Sequence, residues 1–339
     1  MRVAFDVACL TQSRAGTARL ARGLLDALHG EPDLELVRLG DGSRVARGSL
    51  AQKRAVLAQD LGWYGAGLAR AARSAKADVL HCPTFRAPLR VAGLPTVVTV
   101  HDLGVLREPG WFPRWSRTYG RTLMPRAVRC ADRVVCVSRS TSDDVARLLG
   151  VPADRLRVIP NGIDAIFSTR PTAPPIEGPY LLAVATPEPR KNLPRLVAAH
   201  TLLRAAGRPE RLVLVGTDGW GGVEFAERPD VLALGRVRDP VLRDLYAGAE
   251  ALVFPSLWEG FGLPVGEALA AGCRIVCSDL SMLREIAGAD ATYFDPLSAQ
   301  AIADGVVRSL AGGRPAPRRE LTWEHAAASV VELWRELAA

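Results

Sequence analysis

The sequence predicts an α/β protein of two doubly wound domains facing a cleft, on three observations. Short apolar runs alternate with helix-length amphipathic stretches almost from end to end, which is the rhythm of parallel sheets. That alternation stops once, in the proline-rich segment Arg170–Pro179, and then restarts. The length of 339 residues suits two domains, each large enough to bury its own core. Ligands of open α/β sheets bind at the carboxyl ends of the strands. Residues at strand ends are therefore the ones to examine.

Taken in order, the first half places strands at Val3–Val7, Leu36–Leu39, Val79–His81, Thr96–His101, Val134–Ser138 and Arg157–Ile159, all rich in β-branched or aliphatic residues. Helices lie between them, notably Thr17–Leu28 and Ser140–Leu149. The second of these takes Ser140 as its N-cap, with Asp143 and Asp144 in its first turn. A linker near 165–178 follows. Strands then resume at Tyr180–Ala185, Leu212–Val215, Leu232–Leu234, Leu252–Pro255, Arg274–Cys277 and Thr292–Phe294. A last helix, about Trp323–Leu337, carries an apolar stripe of Val330, Leu333, Trp334 and Leu337 that needs a neighbour to pack on.

Composition excludes several classes. No apolar run reaches the roughly 18 residues of a spanning helix, and Met-Arg-Val-Ala-Phe-Asp opens as a strand, not a signal peptide. A soluble, cytoplasmic protein is expected. The six cysteines form no CxxC pair, and Cys273 and Cys277 have no second Cys/His pair to complete a tetrahedral site, so buried thiols are expected and no metal. The net charge of +7 divides unevenly. Residues 1–170 carry 26 Lys+Arg against 15 Asp+Glu, or +11, while residues 171–339 carry 17 against 21, or −4. The basic half suits an anionic partner, although 40 Arg against 3 Lys also records a plain preference for arginine.

The stretch Phe254-Pro-Ser-Leu-Trp-Glu-Gly-Phe-Gly-Leu-Pro-Val-Gly-Glu runs strand, glycine-rich loop, helix. Gly260 and Gly262 let the backbone approach a ligand, and the helix opened by Pro264 directs amide N–H groups and its positive end toward it. That geometry suits a diphosphate. Glu259 in the loop and Glu267, placed on the helix's first turn, flank the same anion site. Carboxylates there need hydroxyl donors, and sugar hydroxyls supply them.

Other strand ends carry candidates. After the first strand of the second half comes Ala183-Val-Ala-Thr-Pro-Glu-Pro-Arg-Lys-Asn-Leu, with Arg190 and Lys191 adjacent just before a helix near Asn192. Two fixed cations neutralise a leaving diphosphate as a divalent metal would. His101 ends a strongly apolar strand and faces the expected cleft, and His81 ends its neighbour with a weaker case for the same role. The loop Arg14-Ala-Gly-Thr supplies Gly16 and Thr17 as a further anion or sugar contact.

Together these motifs resemble the family-four retaining glycosyltransferases of the GT-B architecture, whose two Rossmann-like domains face a cleft. The resemblance spans nearly the whole chain. It includes Ser138-Arg-Ser-Thr-Ser-Asp-Asp-Val, Val158-Ile-Pro-Asn-Gly-Ile-Asp, Leu234-Gly-Arg-Val and Gly272-Cys-Arg-Ile-Val-Cys-Ser-Asp besides the spaced acids Glu259 and Glu267. It implies an N-terminal acceptor-binding domain over 1–168, a nucleotide-sugar domain over 169–322, and a helix over 323–339 returning to the first. Glu259 then matches the acid holding donor-sugar hydroxyls, and Gly260, Phe261, Gly262 and Leu263 match the diphosphate contacts. Glu267 matches the acid on the ribose, Arg190 and Lys191 the pair on the departing diphosphate, and Arg236 and Val237 the base pocket. His101 matches a histidine on the first-domain side of the reacting sugar, and Gly16 with Thr17 the loop beneath the donor. Two positions depart from the pattern: Ala15 replaces the first glycine of that loop, and Thr186 stands where many members have an arginine.

The function this implies is metal-independent transfer of a hexose of mannose or glucose type, with retention. The donor is a GDP- or UDP-linked sugar, no cofactor is needed, and the acceptor is a glycan, a lipid-linked molecule or a small molecule. Three rivals remain. A dehydrogenase lacks any GxGxxG followed by an acid about twenty residues on. A nucleic-acid binder lacks clustered basic residues, so no nucleic-acid partner is expected. A non-catalytic sugar-binding relative has no reason to keep Glu259, Glu267, Arg190 and Lys191. In 107–121, Trp111, Phe112, Trp115 and Tyr119 interleave with Arg107, Arg114, Arg117 and Arg121. That stretch either rests peripherally on an anionic membrane at its inner face or packs the domain.

Overall fold

The structure is a computed structural model that describes residues 1–12, 16–40, 62–89, 91–172, 176–216 and 228–339. It divides into two units, the first comprising Met1–Gly162 with Trp323–Ala339 and the second Ile163–Thr322. Segment 163–168, assigned to the first domain on sequence, packs with the second unit, where the Phe167 ring meets Tyr246 edge-on at 5.9 Å.

Among the described residues, the first unit holds strands β1 (Arg2–Asp6), β2 (Glu35–Leu39), β3 (Val79–Cys82), β4 (Thr96–Val100), β5 (Arg133–Cys136) and β6 (Leu156–Val158). They form one parallel sheet in the order β2-β1-β3-β4-β5-β6. Its central strands β3 and β4 are buried at every position. This is why they read as near-continuous apolar runs, broken only by His81, Thr96 and Thr99: helices cover both faces of such a sheet. These helices include α1 (Gly16–Ala27), α2 (Leu68–Ser74), α3 (Arg114–Cys130) and α4 (Arg139–Leu149). The N-cap of α4 is Ser138, whose hydroxyl accepts the Thr141 N–H, and not Ser140. Starting the helix two residues earlier moves Asp143 and Asp144 out of its first turn. Ser138 wins because it sits at the end of β5 in an extended conformation, as an N-cap requires.

The second unit holds β7 (Tyr180–Val184), β8 (Arg211–Val215), β9 (Val231–Gly235), β10 (Ala251–Phe254), β11 (Ile275–Ser278) and β12 (Ala291–Phe294). Their order is β12-β11-β10-β7-β8-β9, again all parallel. The chain starts mid-sheet at β7, runs outward to β9, then returns beside β7 as β10 and runs outward the other way. The connections leaving β7 and β10 therefore diverge, and this switch point is where doubly wound sheets bind ligands. The helices of this unit are α5 (Leu193–Ala205), α6 (Asp239–Gly248), α7 (Leu263–Ala270), α8 (Ser281–Ala287) and α9 (Ala299–Leu310).

The terminal helix α10 (Trp323–Ala338) belongs to the first unit, where it packs on α1 and β3. Val330, Leu333 and Trp334 are buried in that contact. Its indole anchors the helix: Trp334 Nε1–H donates to His81 Nδ1 at 3.1 Å, while His81 Nε2 lies 3.0 Å from Thr99 Oγ1. His81 is fully buried and serves packing, in place of the site role considered for it. Burial holds its pKa down at about 3. Because the unfolded chain protonates this histidine near 6.5 and the folded one does not, stability is complete above pH 6.5. It falls by at most about 1.4 kcal/mol per pH unit as pH drops from there toward 3. An NMR titration is expected to find His81 neutral down to pH 4; a protonation midpoint near 6 contradicts the assignment.

Five cysteines are buried and Cys130 is exposed, with no disulfide among them. Among the described residues, no helix is long and apolar enough to cross a membrane. In the 107–121 stretch the aromatic and basic residues separate only in part, since Arg107 pairs with the buried Asp144 at 3.0 Å and Arg117 donates to the Phe112 carbonyl at 2.7 Å. Tyr119 is buried in the core and Phe112 packs against it, whereas Arg114, Arg121, Arg126 and Arg129 form an exposed face of α3, a helix without an acidic residue. The side chain of Trp115 lies outside the described structure.

Candidate active site

The loops leaving β7 and β10 are joined to each other. Leu257 N–H donates to the Arg190 carbonyl at 2.7 Å, and the Asn192 side-chain amide donates to the carbonyls of Pro255 at 3.0 Å and Pro296 at 2.8 Å. Asn192 holds a left-handed φ of 58°, which asparagine tolerates better than most residues, and stands at the N-cap position of α5 with its side chain turned to those carbonyls. This junction brings Arg190 and Lys191, from one loop, against Glu259, from the other.

Glu259 is buried yet fully engaged. Its Oε1 accepts from Lys191 Nζ at 2.5 Å and from the Ser256 hydroxyl at 2.7 Å, and its Oε2 accepts from Arg190 Nη1 at 3.2 Å. Arg190 is held in turn: its Nε donates to Glu188 Oε2 at 2.8 Å and its Nη1 to the Trp258 carbonyl at 3.4 Å. Burial by itself raises the Glu259 carboxyl, but Lys191 and Arg190 outweigh it and keep the group below the usual carboxylate range. Burial also lowers the Lys191 ammonium from its ordinary value; Glu259 offsets part of that and Arg190 adds to it. The site is thus a largely buried set of opposed charges, in which each interaction is stronger than in water and each unpaired group costs more.

On sequence, the cations and the carboxylate serve different parts of a ligand. In the structure they are each other's partners.

Beyond Glu259, Gly262 takes φ of +103° at the N-cap of α7, so the helix begins at Leu263 with Pro264 second, and Glu267 falls past the first turn. Gly260, Phe261 and Gly262 are buried. Glu267 is also buried and accepts the Tyr246 hydroxyl at 2.8 Å. Arg236 and Val237 lie in the β9–α6 connection, Arg236 exposed and Val237 partly so. The switch point therefore collects Arg190, Lys191, Glu259 and the start of α7 around the ends of β7 and β10.

In the first unit, His101 follows β4 and its Nε2–H donates a hydrogen bond to the Pro83 carbonyl at 2.9 Å. Nδ1 is then the unprotonated nitrogen of the neutral ring. Burial lowers the His101 pKa against the raising effects of that carbonyl and of Asp102, so the neutral form prevails at pH 7. Gly16 and Thr17 open α1. Arg14 and Ala15 fall outside the described residues.

Sequence reasoning passes over Ser256, Glu188 and Tyr246. The first two lie in the motifs around Glu259 and Arg190, and a Ser three residues before the acid is a readable signal. Tyr246 lies on another helix, 21 residues before Glu267, and no spacing rule links them.

A family model described as Glycosyltransferase Family 4 matches residues 15–166, and one described as Glycosyl transferases group 1 matches residues 178–312. The O-antigen chain mannosyltransferase B of Escherichia coli is 31% identical over 293 residues, covering 79% of this chain and 76% of the relative. Among solved structures, sucrose-phosphate synthase from Thermosynechococcus elongatus superposes with a TM-score of 0.74 at 21% identity, over 99% of both chains. HepE of Anabaena, in complex with UDP and glucose, gives a TM-score of 0.66 at 18% identity, over 100% of this chain and 98% of that one.

Proposed function

We propose, for a chain that belongs to the family 4 glycosyltransferases of the GT-B architecture and is therefore a glycosyltransferase, that it transfers a hexose from a nucleoside diphosphate sugar to a glycan or lipid-linked acceptor. Mannose is the favoured sugar, since the E. coli relative is named a mannosyltransferase, with a GDP-linked donor before a UDP-linked one. The single observation carrying this reading is the convergence of Arg190 and Lys191 on Glu259 at the switch point, beside the amino end of α7.

The diphosphate draws the two cations away from Glu259, and the carboxylate oxygens so released accept hydroxyls of the donor sugar. Backbone N–H groups from Gly260 to Leu263 hold the phosphates at the helix N-terminus. Glu267 holds the ribose, and the segment at Arg236 and Val237 holds the base. In the chemical step the bond from the anomeric carbon to the diphosphate oxygen breaks as the acceptor oxygen bonds to the same face of that carbon. The acceptor's proton passes to the departing diphosphate. Arg190, Lys191 and α7 stabilise the charge that develops there, and preorganised stabilisation of this kind is the main source of rate in such a site. Two side-chain cations fill the office of a metal, so transfer proceeds with retention in the presence of a chelator. The exposed arginine face of α3 suits an anionic bilayer carrying the acceptor, which sedimentation with anionic liposomes tests.

The experiment is transfer from GDP-mannose and from UDP-glucose in EDTA, with the anomeric configuration of the product read by NMR. An α-linked product from an α-linked donor is expected at a rate that the chelator leaves unchanged. An inverted product, or transfer abolished by EDTA and restored by a divalent ion, contradicts the mechanism.

A further inference from the structure

Glu267 is held by a residue that none of the motifs contains. We propose that Tyr246 is a positioning residue for the ribose, fixing the Glu267 carboxylate through its hydroxyl; this rests on the reading of Glu267 as the ribose-binding acid. The Tyr246 hydroxyl donates to Glu267 Oε2 at 2.8 Å, and both side chains are buried. The phenol itself has no room to move. Its ring meets that of Phe167 edge-on at 5.9 Å and 76°, and the end of its helix is tied down by three bonds from side chains to carbonyls. Tyr180 donates to Leu245 O at 2.8 Å, and Arg314 donates to Ala247 O at 2.7 Å and Ala249 O at 2.6 Å.

A glutamate has three side-chain torsions to fix, and ordering them at the moment of binding costs affinity. A rigid phenol donating to one carboxylate oxygen settles the rotamer before the nucleotide arrives. Helix α6, which carries Tyr246 near its end, also begins directly after the segment at Arg236 and Val237 assigned to the base. One helix thus sets the spacing between the base contact and the ribose contact.

The test compares wild type, Tyr246→Phe, Glu267→Gln and the double variant. Calorimetry measures the dissociation constants of GDP and UDP and of their 2′,3′-dideoxy counterparts. Wild type is expected to prefer the ribose form of its nucleotide at least tenfold. Tyr246→Phe should weaken the ribose form five- to tenfold, leave the dideoxy form unchanged, and raise the donor KM in preference to lowering kcat. In the Glu267→Gln background the Tyr246→Phe change should add less than twofold, a comparison that survives any loss of stability common to both variants. Equal weakening of ribose and dideoxy forms by Tyr246→Phe, or no weakening of either, overturns the proposal while leaving the ribose reading in place. A wild-type chain that does not distinguish the two forms overturns the ribose reading and the proposal with it.

Discussion

Replacing Lys191 with alanine is expected to lower turnover by about two to three orders of magnitude, the loss typical of removing one preorganised group that stabilises a developing negative charge. The ammonium sits 2.5 Å from Glu259, with only 12% of its side chain exposed. Arg190 does not cover the loss, because it already neutralises the same diphosphate from its own place beside Glu188 and the Trp258 carbonyl. The fold should survive, since Glu259 retains Arg190 and Ser256 as donors. Lys191→Arg keeps the charge and should recover part of the rate. Single-turnover kinetics with a saturating donor check this; a Lys191→Ala rate within a few-fold of wild type removes Lys191 from the mechanism.

Gly262→Ala is expected to damage both stability and donor binding. The backbone there has φ of +103°, which alanine adopts only under strain, and an added Cβ comes 2.7 Å from Leu283 Cδ2; the leucine side chain can turn aside, but relief of the backbone strain moves the loop at the point where α7 begins. Strain of this kind costs about 1–3 kcal/mol, and a shifted helix start misdirects the amides meant for the diphosphate. The expected result is a melting temperature lowered by several degrees and nucleotide affinity lowered at least tenfold. Gly207→Ala is the control: its φ of +80° carries a similar backbone cost, but its Cβ meets nothing within 4 Å, so stability should fall and affinity should not. Equal affinity in the two variants contradicts the role given to the loop.

Much of this architecture was legible in the sequence, for a physical reason. The inner strands, covered on both faces, are nearly all apolar and stand out as short hydrophobic runs, and for the twelve strands among the described residues, the half-exposed edge strands β2, β6 and β9 included, the observed bounds differ from the expected ones by a residue or two. Helix starts were harder. Ser138 and Ser140 are equally good N-caps by type, and only the backbone conformation at the end of β5 selects the first. The candidate site was legible where its members share a loop, as in the run from Glu259 to Leu263 and in the pair Arg190 and Lys191. What the sequence lacked was pairing across the switch point. That Lys191 meets Glu259 follows from β7 and β10 lying side by side, which depends on strand order and not on any motif. Tyr246 was invisible for the same reason, and His81 misled because a strand-end histidine looks alike whether it faces a ligand or an indole.

The central claim is that the second unit holds a nucleoside diphosphate at its switch point through side-chain cations, without a metal. The most direct measurement is thermal unfolding of the whole chain in EDTA with GDP, UDP and ADP, for wild type and Lys191→Ala. One nucleotide at a hundred times its dissociation constant should stabilise the wild-type chain by about 2.7 kcal/mol, and the same concentration should have far less effect on the variant. No shift with any of the three nucleotides, or an equal shift in the variant, would contradict it.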